Sequence, residues 1–224
     1  MVETLEWLQG LEPGDRYATG VVVLFGLTLS TISVAAWNTP LTWDSSVYLA
    51  MGKWIFSSGE FGFWENLRPP LLPLLLGTLW KAGVPYHGYY RLLSTAVSTA
   101  GLATVYYASR DLFGSREALV ATALLASSHA YIFFTVDPLT GIPASILVFL
   151  GLYLATDDRY LAGGIVLGTA FLTRFPAALA GPAAVIYILI EGYSREDYRG
   201  AARNAAALTA GFFAVAGAYL ALQY

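Results

Sequence analysis

Cysteine is absent from the 224-residue chain, which excludes a disulfide framework, a thiol nucleophile and any cysteine-ligated metal. Only two histidines are present, His87 and His129, so a histidine-rich metal centre is excluded as well. Charge is scarce: 12% of residues are Asp, Glu, Lys or Arg, against about 25% in an average soluble domain. The formal net charge of −3 gives no reason to expect a nucleic-acid partner. The opening residues, MVETLEWLQGLEPGDRYATG, are acidic and lack the basic start of a secretory signal peptide. No P-loop, GxSxG, HExxH or dinucleotide fingerprint occurs, so no motif offers a site for ATP or NAD.

What the chain has instead is apolar sequence. Hydrophobic residues make up 57% of it, mean hydropathy is +0.59, and the excess is spread along its length. That pattern predicts an all-α polytopic membrane protein. The first crossing is expected at about Tyr17–Trp37, stopped by Asn38-Thr39-Pro40 and long enough for a hydrocarbon core of roughly 30 Å. Further crossings are expected at about 87–109, 118–134, 139–155, 161–172 with its flanks, 177–190 and 205–222, seven in all. The first dozen residues have the spacing of a short amphipathic helix, with Leu5, Leu8 and Leu11 on one side. Residues 1–16 are expected in the cytoplasm, and 1–224 form a single transmembrane module without a soluble C-terminal domain. Small residues at Gly163, Gly164, Gly168 and through Ala201–Ala218 favour close approach of membrane helices.

One stretch breaks the apolar pattern. Residues 38–86 are polar and aromatic, and irregular backbone of this kind cannot face lipid. They are expected to form the first extracytoplasmic loop, with short juxtamembrane helices. Asp44, Tyr48 and Met51 share one face of a helix that ends near Ser57-Ser58-Gly59. Glu60–Leu67 reads as loop, and Pro70 opens a helix over Leu71–Trp80, too short to cross and therefore re-entrant or surface-lying. The charges support this. If that helix does not cross, Arg16, Arg110, Arg116, Arg159, Arg195, Arg199 and Arg203 all fall on the N-terminal side, which the positive-inside rule makes cytoplasmic. Asp44, Asp137, Arg68 and Arg174 then share the outer surface.

Several residues at that surface could carry chemistry. Asp44, at a helix start, can serve as an N-cap or as a general base for a hydroxyl, and the two roles are compatible. Asp137, before Pro138, either caps the next helix or joins Asp44 in holding a substrate hydroxyl or a divalent cation. Two carboxylates without His or Cys suit Mg²⁺ or Mn²⁺. Arg68, constrained by Pro69-Pro70, and Arg174, in GTAFLTRFP, present the planar fork that matches phosphate oxygens. For Arg174 the competing reading is snorkelling to the interface. Lys53, Lys81 and Arg91 are weaker candidates for the same anion. Trp43, Trp54, Phe56, Phe61, Phe63 and Trp64 read first as an interfacial belt and second as a wall for a sugar or a lipid tail. His129, in mid-span, is expected to hydrogen-bond between helices.

In order, these motifs are Asp-x-x-x-Tyr in a long outer loop, Arg-Pro-Pro-Leu, SRDLFGSREA, an outer aspartate opening a span, and G-x-A-F-L-T-R-x-P. The order resembles the GT-C glycosyltransferases, in the branch of protein O-mannosyltransferases and lipid A aminoarabinose transferases, over about residues 17–190. The resemblance implies a GT-C-like bundle that transfers a sugar from a polyprenyl phosphate with inversion. It implies Asp44 as base, Asp137 as second acidic residue, and Arg68 and Arg174 as ligands of the donor phosphate, with Tyr48 beside them. The implied partners are the lipid-linked sugar, a protein or glycolipid acceptor, membrane lipid and a partner subunit. Two departures stand out: Ser45 follows Asp44 where many members have a second acidic residue, and the chain is much shorter than most members. The second reading is therefore a noncatalytic membrane subunit that binds polyprenyl phosphate or assembles with a larger enzyme. A small-solute transporter is disfavoured, since transporter sites lie near the bilayer midplane.

Overall fold

The computed structural model describes residues 13–222, so the expected amphipathic helix over the first dozen residues lies outside the described part. Among the described residues all regular structure is helical. The chain divides into two compact units, one built from the residues up to Thr42 with Pro85–Ile142, the other from Trp43–Val84 with Pro143 onward.

In the first unit α1 (Pro13–Ala35) packs on α4 (Tyr86–Phe113) and α5 (Ser115–Ser127). The contact is unusually polar for a membrane bundle. Ser33 Oγ and Thr95 Oγ1 lie 3.0 Å apart in the buried interface. At the other end of α1, buried Asp15 pairs with Arg110 at 3.3 Å and accepts a hydrogen bond from the Tyr106 hydroxyl. The side chains of Arg91, Ser94, Thr95 and Ser98 turn inward from α4. That inward polar face lowers the hydropathy of α4, so its 28 residues are long enough to cross a membrane but less apolar than the crossing helices.

The expected span at 118–134 is interrupted. α5 stops at Ser127, and α6 (His129–Thr135) leaves at 62° to it. Serine pairs are among the recognised causes of such kinks, and Ser127-Ser128 occupies this break. His129 consequently starts a helix instead of sitting in mid-span. Its ring is exposed and lies 6.1 Å from that of Phe133, a correction to the expected interhelical hydrogen bond.

The second unit contains α2 (Trp43–Phe56), α3 (Leu71–Lys81), most of α7 (Gly141–Thr156), α8 (Tyr160–Thr173), a 3-10 turn (Phe175–Leu179), α9 (Ala180–Ser194) and α10 (Tyr198–Leu222). Glycine sets its helix spacings. A methyl group on Gly77 would come within 2.6 Å of the Gly52 carbonyl oxygen, so α2 and α3 meet backbone to backbone. The same logic joins α8 to α10: a methyl on Gly168 would stand 2.6 Å from the Phe212 carbonyl oxygen, and one on Gly164 would overlap that of Leu208. Gly163 meets the Gly151 carbonyl oxygen of α7 at 2.9 Å in the same sense. The expectation of close packing at the small residues is met. Ala184, Ile188, Ala201, Ala205 and Leu208 then fill the core between α9 and α10.

Among the described residues, three helical segments are long and apolar enough to cross a membrane: α1, the 3-10 turn with α9, and α10. Counting the bent α5–α6 pair makes four. The chain is a helical membrane protein, but seven crossings are not reached by this measure. Besides polar α4, the shortfall lies in α7 and α8, whose 16 and 14 residues span only about 24 and 21 Å at 1.5 Å per residue.

Candidate functional site

The α2–α3 hairpin assembles an ionic cluster in the second unit around Arg68. α2 places Asp44 and Tyr48 one turn apart on the same face. After Phe56 the chain turns through Gly59 and Gly62, both at positive φ. A methyl on Gly62 would overlap the Ala50 carbonyl oxygen, so the loop lies directly against α2 and only glycine fits there. Ser57 Oγ accepts a hydrogen bond from the Phe61 backbone amide at 2.9 Å, and the rings of Trp54 and Trp64 lie 5.8 Å apart. Phe61 meets Trp80 of α3 at 6.0 Å. These contacts return the chain to the head of α2 just as it reaches Arg68.

Arg68 is the hub. Its Nη2 donates to Asp44 Oδ1 at 2.8 Å, and its Nε donates to Glu65 Oε2 at 3.0 Å. Its guanidinium carbon lies 5.0 Å from the centre of the Tyr48 ring. Burial works against the charge on Arg68, but hydrogen bonds with Asp44, Tyr48 and Glu65 outweigh it and raise its pKa above the usual arginine value. Arg68 is therefore a permanent cation. Tyr48 is buried, whereas the Asp44 side chain is 56% exposed and open to a reactant.

The other candidates are placed differently. Arg91 is buried in the first unit, where Nη1 donates to the carbonyl oxygens of Ala36 and Thr39 and Nη2 to that of Pro40. These groups lie at the end of α1, where helices leave carbonyls without intrahelical partners. Arg91 Nη2 also lies 3.1 Å from Asp137 Oδ1, though that oxygen accepts no well-aligned hydrogen bond among the described residues. The Asp137 backbone carbonyl accepts from Ser94 Oγ at 2.8 Å. Arg91 and Asp137 thus form one nearly dry pair tying α4 to the segment after α6.

In the second unit Lys53 lies on α2 with its Nζ 6.0 Å from the Trp80 ring, and Lys81 ends α3, exposed. Arg174 occupies the extended residue between α8 and the 3-10 turn, also exposed. Four residues beyond it begins an apolar groove of about 410 Å³, lined by Ala178, Gly181, Val185, Leu208, Phe212 and Phe213 among others.

Glu65 is the member of the cluster that no sequence motif marks. Its one signal is opposite charge three residues before Arg68, a common spacing for a local ion pair. Asp44 is one of the two carboxylates that the sequence offers to a divalent cation. Oδ1 already accepts from a guanidinium, and no group of three or more His, Asp or Glu side chains is arranged to share a metal among the described residues.

A family model described as dolichyl-phosphate-mannose-protein mannosyltransferase matches residues 68–219. The matched span opens on Arg68 itself, takes in Asp137 and Arg174, and leaves Asp44 outside. No curated protein and no solved structure matches the chain.

Proposed function

Because the chain belongs to the dolichyl-phosphate-mannose-protein mannosyltransferase family, a family of lipid-phosphate-dependent glycosyltransferases, we propose that it moves a hexosyl group from a polyprenyl phosphate to an acceptor hydroxyl at the extracytoplasmic membrane face. The acceptor is a protein or glycolipid. The observation that carries this reading is the hydrogen bond between exposed Asp44 and Arg68, which sets a base against a phosphate ligand.

The step balances as follows. The acceptor hydroxyl gives its proton to Asp44 as its oxygen bonds to the anomeric carbon. The bond from that carbon to the phosphate oxygen breaks, and its electron pair leaves on the phosphate. Arg68, fixed by Glu65, stabilises the charge that develops there. Attack opposite the leaving phosphate inverts the anomeric centre. Arg174 supplies a second cation to the lipid phosphate, and the adjoining apolar groove accepts part of the hydrocarbon tail.

Transfer of radiolabelled sugar from a polyprenyl-phosphate donor, measured in membranes containing the wild-type chain, Asp44→Ala or Arg68→Ala, tests the proposal. Transfer by the wild type that both substitutions abolish supports it. Undiminished transfer by either variant refutes these roles, and no transfer by the wild type with candidate partner subunits present favours a noncatalytic lipid-binding subunit.

A further inference from the structure

Arg68 is already engaged by two carboxylates and an aromatic ring. Asp44 and Glu65 already accept from its Nη2 and Nε, and the Tyr48 ring covers one face of the guanidinium. The trio of Arg68, Asp44 and Glu65 carries one net negative charge when both carboxylates are ionised, so it repels an arriving phosphate. The two carboxylates are not held alike. Glu65 is 34% exposed and is tethered three residues from Arg68 in the same turn, whereas Asp44 is 56% exposed and reaches Arg68 across 24 residues of sequence. Asp44 is thus the more exposed of the two partners and the one a ligand arriving from water meets first.

We propose that Arg68 is shared in turn between Asp44 and the phosphate of the lipid. Arrival of the donor takes Nη2 from Asp44 and unmasks the base, and the return of Asp44 to Nη2 expels the spent lipid phosphate. This deepens the transfer reading above and rests on it. The cycle is balanced. Asp44 displaced from Arg68 is an unpaired carboxylate facing water, ready for the acceptor proton. After transfer Asp44 is a neutral acid and cannot compete for Arg68, so the lipid phosphate stays bound. Loss of the proton to solvent restores the carboxylate, which reclaims Nη2 and displaces the lipid. The donor therefore binds before the acceptor is activated, and Asp44 serves both as base and as the group that clears the site.

The cycle makes an uncommon demand: removing the base must tighten binding of the product lipid. The experiment measures the affinity of the purified full chain in nanodiscs for undecaprenyl phosphate, with undecaprenol as the phosphate-free control. Asp44→Asn and Asp44→Ala should each tighten undecaprenyl phosphate binding by roughly two- to fivefold, the scale of releasing one partly exposed ion pair. Undecaprenol binding should not change. In an Arg68→Gln background, binding should be weak and the same Asp44 substitutions should have no effect. Glu65→Gln removes the same charge, but Glu65 holds Nε and is not the partner that the phosphate displaces, so it should tighten binding less. Unchanged or weaker binding in both Asp44 variants overturns the sharing. So does equal tightening in Glu65→Gln, or tightening that persists without Arg68, since either would mean a general loss of repulsion. If Arg68→Gln binds the lipid as well as wild type does, the assignment of Arg68 to the phosphate fails, a different result from failure of the sharing alone.

Discussion

Arg68 and Arg91 are the two arginines that matter most at the scale of single residues, and they do different work. In the proposed transfer Arg68 faces the donor phosphate, so replacing it or its partner should affect chemistry first. Asp44→Asn is expected to lower the turnover number by about 10²–10⁴-fold, the range for loss of a general base, with a normal melting temperature because the side chain is more than half exposed. Arg68→Lys should also lose most activity, since an ammonium lacks the planar fork that holds Glu65 at one nitrogen and Asp44 or a phosphate at another. Arg91 is enclosed, and Arg91→Ala would remove its hydrogen bonds to the carbonyls of Ala36, Thr39 and Pro40 and take away the cation beside Asp137. Breaking one side of a buried pair costs about 3–5 kcal/mol, so the detergent-solubilised variant should show a markedly lower melting temperature or fail to accumulate. The sequence presents both as arginines near an outer surface. Their difference is one of burial, which depends on what lies around each side chain.

At the scale of elements, the geometry of the Asp44–Arg68 pair is inherited from the α2–α3 contact. Gly52→Ala and Gly77→Ala each add a methyl where a carbonyl oxygen of the facing helix already stands. The helices must separate, at a cost of roughly 1–3 kcal/mol, and Asp44 must drift from Arg68. Both variants should lose stability and transfer together. Gly20→Ala on α1 is the control. A methyl there meets nothing within 4 Å, so helix propensity alone acts and the melting temperature should stay or rise. The two short helices, the loop between them and the pairing of small residues were legible from spacing, since each follows from periodicity, turn residues and size. The break at Ser128 was not, because the three polar residues Ser127-Ser128-His129 sit inside an otherwise apolar run and do not by themselves fix a 62° turn.

For the whole molecule the open quantity is how the chain threads the bilayer. The proposed topology puts the N-terminus in the cytoplasm and keeps both ends of α3 on the outside. The absence of native cysteine makes this directly measurable with a membrane-impermeant maleimide. Glu60→Cys and Lys81→Cys should label in intact cells, and Arg199→Cys only after permeabilisation. Labelling of Glu60→Cys and Lys81→Cys from opposite sides would make α3 a crossing helix and would reverse every later loop.

By itself, the sequence determined that this is a helical membrane protein without cysteine chemistry, and that a polar, aromatic excursion interrupts its apolar spans. Those conclusions depend on composition and on local periodicity, which a linear reading contains. Only the tertiary structure decided that Asp44 meets Arg68 with Glu65 beside them, and that Arg91 and Asp137 serve each other instead. A pairing between side chains 24 or 46 positions apart depends on where glycine lets two backbones touch and on which cation finds itself buried, and neither is a property of the residues taken one after another.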